Sequence, residues 1–149
     1  MAGLVWPLLG VLAGAALAVQ VTVNAELARG LGLPVAAAAV SFFAGAVILA
    51  VVTLAVARTQ DITIDFGAPS PWLFVVGGLL GATYVTSSII LVPRIGAAAL
   101  LAFIVAGQLV AGLLIDRIGY LGVAVRELSA GRIAGALLLM VGAVLIRFS

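Results

Sequence analysis

The sequence predicts an all-α integral membrane protein with five transmembrane helices. Of its 149 residues, 66% are hydrophobic and 8% are charged, and the mean hydropathy is +1.44. Soluble globular domains contain about 45–50% apolar and about 25% charged residues. A soluble chain of this size would leave too much apolar surface in contact with water. The composition therefore excludes a soluble enzyme, a nucleic-acid-binding protein and a disordered protein.

Five segments are long and apolar enough to span a bilayer. A helix needs about 20 mostly apolar residues to cross a hydrocarbon core of about 30 Å. We predict one domain over residues 1–149, whose spans cover residues 4–23 and on toward 28, 35–57, 72–92, 97–115 and 131–148. The boundaries are soft by a few residues.

The first span has features of both a membrane helix and a signal peptide. Its run Ala16-Leu17-Ala18 resembles a small-residue cleavage site. No basic region precedes it, however, and the polar residues Gln20 and Asn24 continue the segment. A retained membrane helix is therefore favoured over a cleaved signal.

Proline and tryptophan mark the next boundaries. Pro34 precedes the second span, and Pro71 and Pro93 flank the third, where a missing amide donor costs little. Trp6 and Trp72 open the first and third spans, which predicts interfacial anchors on the same side of the membrane.

The fifth span is short, and arginines lie near both of its ends. We expect Arg132 and Arg147 to extend along the helix and place their charges at the interface.

Glycine pairs at a spacing of four residues lie on three spans, and this spacing lets helix backbones approach closely. Glycine is common in membrane helices, so a single pair is weak support. The run 10–15 also resembles the run 77–82, which leaves open an internal repeat of the first two spans in the next two. The predicted helix-packing residues are Gly10, Gly14, Gly77, Gly81, Gly131 and Gly135.

The arginines are divided almost evenly between the two membrane faces. On the N-terminal side lie Arg58, Arg117, Arg126 and, by extension toward that face, Arg132. On the opposite side lie Arg29, Arg94 and Arg147. Because an excess of basic residues in short loops sets orientation, this balance gives insertion little preference. The sequence therefore predicts dual topology and an antiparallel homodimer of ten helices; a single orientation set by weak signals is the alternative.

Polar residues inside the spans predict a neutral, hydrogen-bonding cavity, because polar side chains in lipid face the bundle interior or a substrate path. Gln20 and Asn24, four residues apart, share one helix face. The candidate substrate-binding residues are Gln20, Asn24, Ser41, Tyr84, Ser87, Ser88 and Gln108. The alternative is that they only join helices, at roughly 0.6 kcal/mol for each bond.

Charged residues are absent from the middle of the predicted spans, which argues against a central carboxylate that exchanges a proton for a cation. The candidate coupling residues are Glu26 and Asp116, both near span ends. Each is alternatively an interfacial, solvated or arginine-paired group. Since the chain lacks Cys and His, we expect no metal site, no cofactor and no enzymatic activity.

Short motifs recur in order along nearly the whole chain. In the first half they are Val19-Gln20, Asn24-Ala25-x-Leu27, Leu31-Gly32-x-Pro34 and Val40-Ser41-Phe42. In the second half they are Val92-Pro93-Arg94-Ile95-Gly96-Ala97-Ala98, Ala106-Gly107-Gln108-Leu109, Asp116-x-x-Gly119 and Arg132-x-x-Gly135. In this order and spacing they resemble the small YdcZ-like family of the drug/metabolite transporter superfamily.

The resemblance implies a five-helix protein of the bacterial inner membrane. It also implies that relatives occur as single dual-topology chains, as paired genes and as fused two-domain proteins. It supplies no settled substrate and therefore no coupling residue.

The predicted function is alternating-access transport of a small organic solute through a cavity at the interface of an antiparallel homodimer. The fifth span would mainly pack the dimer. The expected partners are the lipid bilayer and a second copy or a five-helix paralogue, without nucleic acid. The alternatives are a non-transporting membrane assembly partner and one half of an obligate heterodimer.

Overall fold

The computed structural model describes residues 2–148. Over that range the chain forms five α-helices and a short 3-10 turn at Tyr120–Gly122. The helices are α1 (Ala2–Leu31), α2 (Pro34–Thr59), α3 (Pro71–Ile95), α4 (Ala97–Ile118) and α5 (Ala130–Phe148). All five are long and apolar enough to cross a membrane, which confirms the predicted five-helix fold.

Three of the helices, α1, α3 and α4, end at a glycine whose φ is positive. Gly32 follows α1 with a φ of 72°, and Gly96 separates α3 from α4 with a φ of 82°. Pro34 then begins α2, at a position where an amide N–H would lack a partner. Gly119 ends α4 in the left-handed region, and its N–H donates to the carbonyl of Ile115 at 2.9 Å.

The chain forms two compact units. The first unit ends at Ile90 and contains α1, α2 and most of α3. Helix α1 packs on α2, and small side chains allow this close packing. The buried cluster consists of Ala28, Ala37, Ala38, Val85 and Ile89, with Leu27 and Tyr84 packed against it.

The second unit begins at Leu91 and is built on the packing of α4 against α5. Its buried side chains are mostly alanine, namely Ala99, Leu100, Ala106, Ala136 and Ala143. The connection between the two helices folds back on α4, since the N–H of Arg126 donates to the carbonyl of Asp116 at 2.9 Å.

Large apolar side chains cover the outside of the helices. Trp6 is 74% exposed, Phe43 73% and Leu138 72%. In water such a surface would drive aggregation, whereas in lipid it is the expected exterior.

One predicted packing glycine lies against a neighbouring helix. A Cβ at Gly81 would lie 3.2 Å from Cζ of Phe42 on α2. A Cβ added at Gly131 would lie 4.0 Å from the hydroxyl oxygen of Ser129. The other predicted positions meet nothing within 4 Å in the described part of the chain, namely Gly10, Gly14, Gly77 and Gly135.

Candidate functional site

A cavity of about 300 Å³ lies in the first unit, where α1, α2 and α3 meet. It brings together two of the residues selected from the sequence, Gln20 on α1 and Ser41 on α2. The rest of the lining is apolar or small and consists of Phe42, Gly45, Ala46, Leu49 and Val85. The cavity is therefore an apolar pocket with two convergent polar groups, a common design of small-molecule sites.

The two polar groups of this cavity have unused bonding capacity. Within residues 2–148, neither the Gln20 amide nor the Ser41 hydroxyl makes a side-chain hydrogen bond to the protein. A primary amide has two donor protons and two acceptor lone pairs, and a hydroxyl both donates and accepts. Gln20 is exposed on the protomer and Ser41 is half-buried, so both groups are accessible to a polar solute in the cavity.

Asn24 and Tyr84 place further polar atoms inside the first unit. Asn24 is 4% exposed. The hydroxyl of Tyr84 is buried and has no hydrogen-bond partner among the described residues. A buried hydroxyl without a partner is unfavourable. Tyr84 lies against the buried cluster that includes Ala28, one turn beyond Asn24 on the same face of α1.

The serines of α3 differ in their surroundings. Ser88 is 2% exposed, and its hydroxyl donates to the carbonyl of Tyr84 at 2.8 Å on its own helix. Ser87 is exposed. Because the Ser88 proton is already donated within the helix, this side chain fits the packing interpretation better than solute binding.

Gln108 lines a different cavity, of about 390 Å³, in the second unit. Two charged residues share its lining, Asp116 near the end of α4 and Arg132 near the start of α5. The other lining residues are Leu109, Gly112, Leu113, Gly135 and Leu139.

Asp116 forms an ion pair with Arg132 rather than with its sequence neighbour Arg117. The guanidinium Nη2 of Arg132 contacts Oδ2 of Asp116, and Nη1 donates to the carbonyl of Glu127 at 3.2 Å. The two charged side chains are only 32% and 25% exposed. The Asp116 carboxylate on the adjacent helix therefore balances the charge of Arg132 near the ends of α4 and α5.

The sequence interpretation allowed for an arginine partner of Asp116 but did not identify Arg132, which lies 16 residues away. The two motifs Asp116-x-x-Gly119 and Arg132-x-x-Gly135 could have indicated this ion pair. They place opposite charges at adjoining ends of consecutive spans, and a short connection brings such ends together.

Glu26 lies in a different environment from Asp116. It pairs with Arg29 on its own helix at 2.6 Å, and the Glu26 and Arg29 side chains are 71% and 70% exposed. Such exposed pairs contribute little stability. Glu26 lines neither polar cavity.

Five apolar helices with polar-lined cavities between them define a polytopic helical membrane protein. A family model described as "Putative inner membrane exporter, YdcZ" matches residues 5–145. The chain belongs to this family, which confirms the resemblance inferred from the motifs.

A curated relative supports the same assignment. The chain is 44% identical over 75 residues to "Inner membrane protein YdcZ" of Escherichia coli strain K12. That alignment covers 50% of this chain and 50% of the relative. No solved structure matches the chain. With its five apolar helices and an inner-membrane relative, the protein is a multi-pass protein of the bacterial inner membrane.

Proposed function

We propose that the protein is a small transporter that moves an organic solute out of the cell by alternating access. The cavity lined by Gln20 and Ser41 carries this proposal, because its other lining residues are apolar or small and neither polar group makes a side-chain hydrogen bond within residues 2–148. Asn24, Tyr84 and Ser87 of the same unit, and Gln108 of the second unit, are the further candidates for solute binding, whereas Ser88 is assigned to helix packing. The outward direction follows from the family description.

The proposed assembly is an antiparallel homodimer of opposite orientations. Two observations support it: the nearly even distribution of arginines between the two faces and the open space at Gly10, Gly14 and Gly77. Small-residue faces allow close helix approach, and a second copy would supply the missing neighbour. Two oppositely oriented chains would form the inverted-repeat architecture found in many secondary transporters.

Transport by the purified protein in liposomes tests the proposal. Vesicles are loaded with a panel of neutral, cationic, anionic and zwitterionic solutes, and efflux is compared with that of protein-free vesicles. We expect at least one solute to leave faster when the protein is present. No protein-dependent efflux across the panel would contradict the proposal.

Substitution at the cavity links transport to the site. Gln20→Leu combined with Ser41→Ala removes both unbonded polar groups, so we expect transport to fall about tenfold or more, a loss of at least about 1.4 kcal/mol of binding or barrier energy. Thr22→Val is the matched control on α1, because the Thr22 hydroxyl bonds to the carbonyl of Ala18 at 3.1 Å on its own helix. Equal transport by the unaltered protein, the double variant and the Thr22→Val control would contradict the assignment of this cavity as the solute site.

Two further variants discriminate between a transporter and a non-transporting assembly partner. If the polar groups only joined helices, Asn24→Leu and Gln108→Leu would disrupt the dimer. If they bind solute, both variants should form a folded dimer that has lost transport. Size-exclusion chromatography with light scattering measures the dimer. An obligate heterodimer would instead require a second five-helix chain for activity.

A further inference from the structure

The cavity of the second unit has an electrostatic character different from that of the first. Its lining contains a carboxylate and a guanidinium in contact with each other, and an amide, Gln108. Gln108 lies about two helical turns before Asp116, or about 12 Å along α4 at 1.5 Å per residue. Gln108 and Asp116 on α4, with Arg132 on α5, thus line a cavity of about 390 Å³, within the usual range of about 300–1,000 Å³ for ligand sites.

The ion pair leaves bonding capacity for a ligand. A guanidinium has five N–H donors, and within the described residues Arg132 uses one nitrogen for Asp116 and another for the Glu127 carbonyl. Only Oδ2 of Asp116 is in that contact, so Oδ1 has no partner among the described side chains. The Gln108 amide also makes no side-chain hydrogen bond over residues 2–148.

The charge of the cavity restricts what it can accept. Asp116 and Arg132 together carry no net charge, and both are half-buried. A solute with a single charge would attract one member of the pair and leave the other without a partner in a low-dielectric site, which is costly. A solute with one positive and one negative group keeps the site neutral and provides a partner for each member.

We propose that this cavity binds a small zwitterionic solute with a carboxylate and a primary ammonium group. The carboxylate accepts hydrogen bonds from Arg132, and the ammonium donates to Asp116. An aliphatic side group lies along Leu109, Leu113 and Leu139. The inference rests on the proposed transport function only in taking the bound solute to be the transported one.

A ligand series on the unaltered protein tests the inference directly. L-norvaline carries both charged groups, pentanoate lacks the ammonium, and butylamine lacks the carboxylate. Isothermal titration calorimetry of the purified protein in detergent should show norvaline binding about tenfold or more tightly than either analogue. Equal binding of pentanoate or butylamine, or no binding of norvaline, would overturn the inference.

Two variants assign the binding to the pair. We expect Asp116→Asn to abolish the preference for norvaline over pentanoate, since the ammonium loses its partner. Arg132→Gln should abolish the preference for norvaline over butylamine. A role confined to holding α4 against α5 would alter neither preference selectively. Glu26→Gln and Arg29→Gln are the matched controls, because they change an exposed pair outside the cavity and should leave norvaline binding unchanged.

The outcome is separable from the test of transport. Norvaline binding without protein-dependent efflux of any solute supports this site and contradicts the transport function. Efflux of other solutes without norvaline binding supports the transport function and overturns this site. If a variant fails to fold, the binding of norvaline, pentanoate and butylamine to the unaltered protein still decides whether the cavity prefers a zwitterion.

Discussion

The polar side chains within the spans differ in whether they have partners, and this difference separates their roles. The hydroxyl of Ser88 bonds to its own helix, whereas the buried hydroxyl of Tyr84 has no partner within the described chain. Sequence reasoning selected both residues as solute ligands. It could not separate them, because an i to i−4 hydroxyl bond depends on the side-chain rotamer and not on the residue type.

Tyr84→Phe should therefore separate stability from transport. Removing a buried hydroxyl that lacks a partner relieves a desolvation cost, so we expect unfolding free energy to stay the same or rise by about 1–3 kcal/mol. Transport should fall if the hydroxyl bonds to the solute. Thermal unfolding in detergent and liposome efflux measure the two effects. A clear loss of stability would contradict our interpretation of this hydroxyl.

Gly119 is required by the backbone that ends α4. Its φ is 66°, and an added Cβ would lie 2.7 Å from Cγ2 of Val125 and 3.3 Å from the carbonyl of Val123. We expect Gly119→Ala to cost about 1–3 kcal/mol, because the left-handed conformation and the crowding act together.

A graded control series measures this effect by thermal unfolding. Gly122 has a φ of 83° without a close neighbour, and Gly142 has nothing within 4 Å. The destabilisation should decrease from Gly119→Ala to Gly122→Ala to Gly142→Ala. The same unfolding temperature for Gly119→Ala and Gly142→Ala would contradict the steric argument.

For the helices, hydropathy and the glycine and proline residues between the spans predicted most of what the structure shows. Predicted and observed helices agree in number, and Gly32 and Pro34 separate α1 from α2. The observed helices extend beyond several predicted spans, as α1 continues to Leu31 and α4 to Ile118. Polar and charged residues still form helical backbone at the membrane surface, so hydropathy predicts the span better than the helix end.

Contacts between helices depend on shape and were less predictable. Gly81→Leu should destabilise the first unit, because even a Cβ there would lie 3.2 Å from the Phe42 ring on α2. Combining it with Phe42→Ala should recover part of the loss by freeing space. Gly78→Leu is the control, since nothing lies within 4 Å of a Cβ at that position. Thermal unfolding that ranks Gly78→Leu as the more damaging change would contradict this contact.

The N-terminal half of α1 is exposed on all sides of the helix. Residues 4–16 are all exposed in the described chain, and the whole helix is about 45 Å long at 1.5 Å per residue. If Gly10 and Gly14 contact a second copy, Gly10→Leu with Gly14→Leu should weaken self-association about tenfold or more. Within the protomer nothing lies near either position, so thermal stability at low protein concentration should be unchanged.

A dilution series with light scattering measures this association. Gly107→Leu, also free of neighbours within 4 Å, is the control on α4. Unchanged association of the double variant would remove α1 from the proposed dimer interface.

Across the protein as a whole, four of the candidate residues line two separate cavities, one in each unit. Gln20 and Ser41 line the first, and Gln108 lines the second with Asp116 and Arg132. Sequence reasoning selected four of these five residues but assigned them to one cavity or to coupling. Helix periodicity places residues on a face of one helix, whereas the assignment to a cavity depends on which helices pack together.

The proposed antiparallel homodimer requires both orientations in one membrane. The chain has no cysteine, so a single introduced cysteine reports the side on which it lies. Thr63→Cys is suitable because Thr63 is exposed in the connection between α2 and α3. Nearby Asp61 is less suitable, since its backbone has a φ of 52°, a conformation that cysteine adopts less readily than aspartate.

Labelling of intact cells with a membrane-impermeant thiol reagent, before and after permeabilisation, shows which orientations are present. We predict that only a fraction of the Thr63→Cys protein reacts in intact cells, and that permeabilisation completes the reaction. Complete labelling before permeabilisation, or none until then, would mean a single orientation and would contradict the antiparallel homodimer.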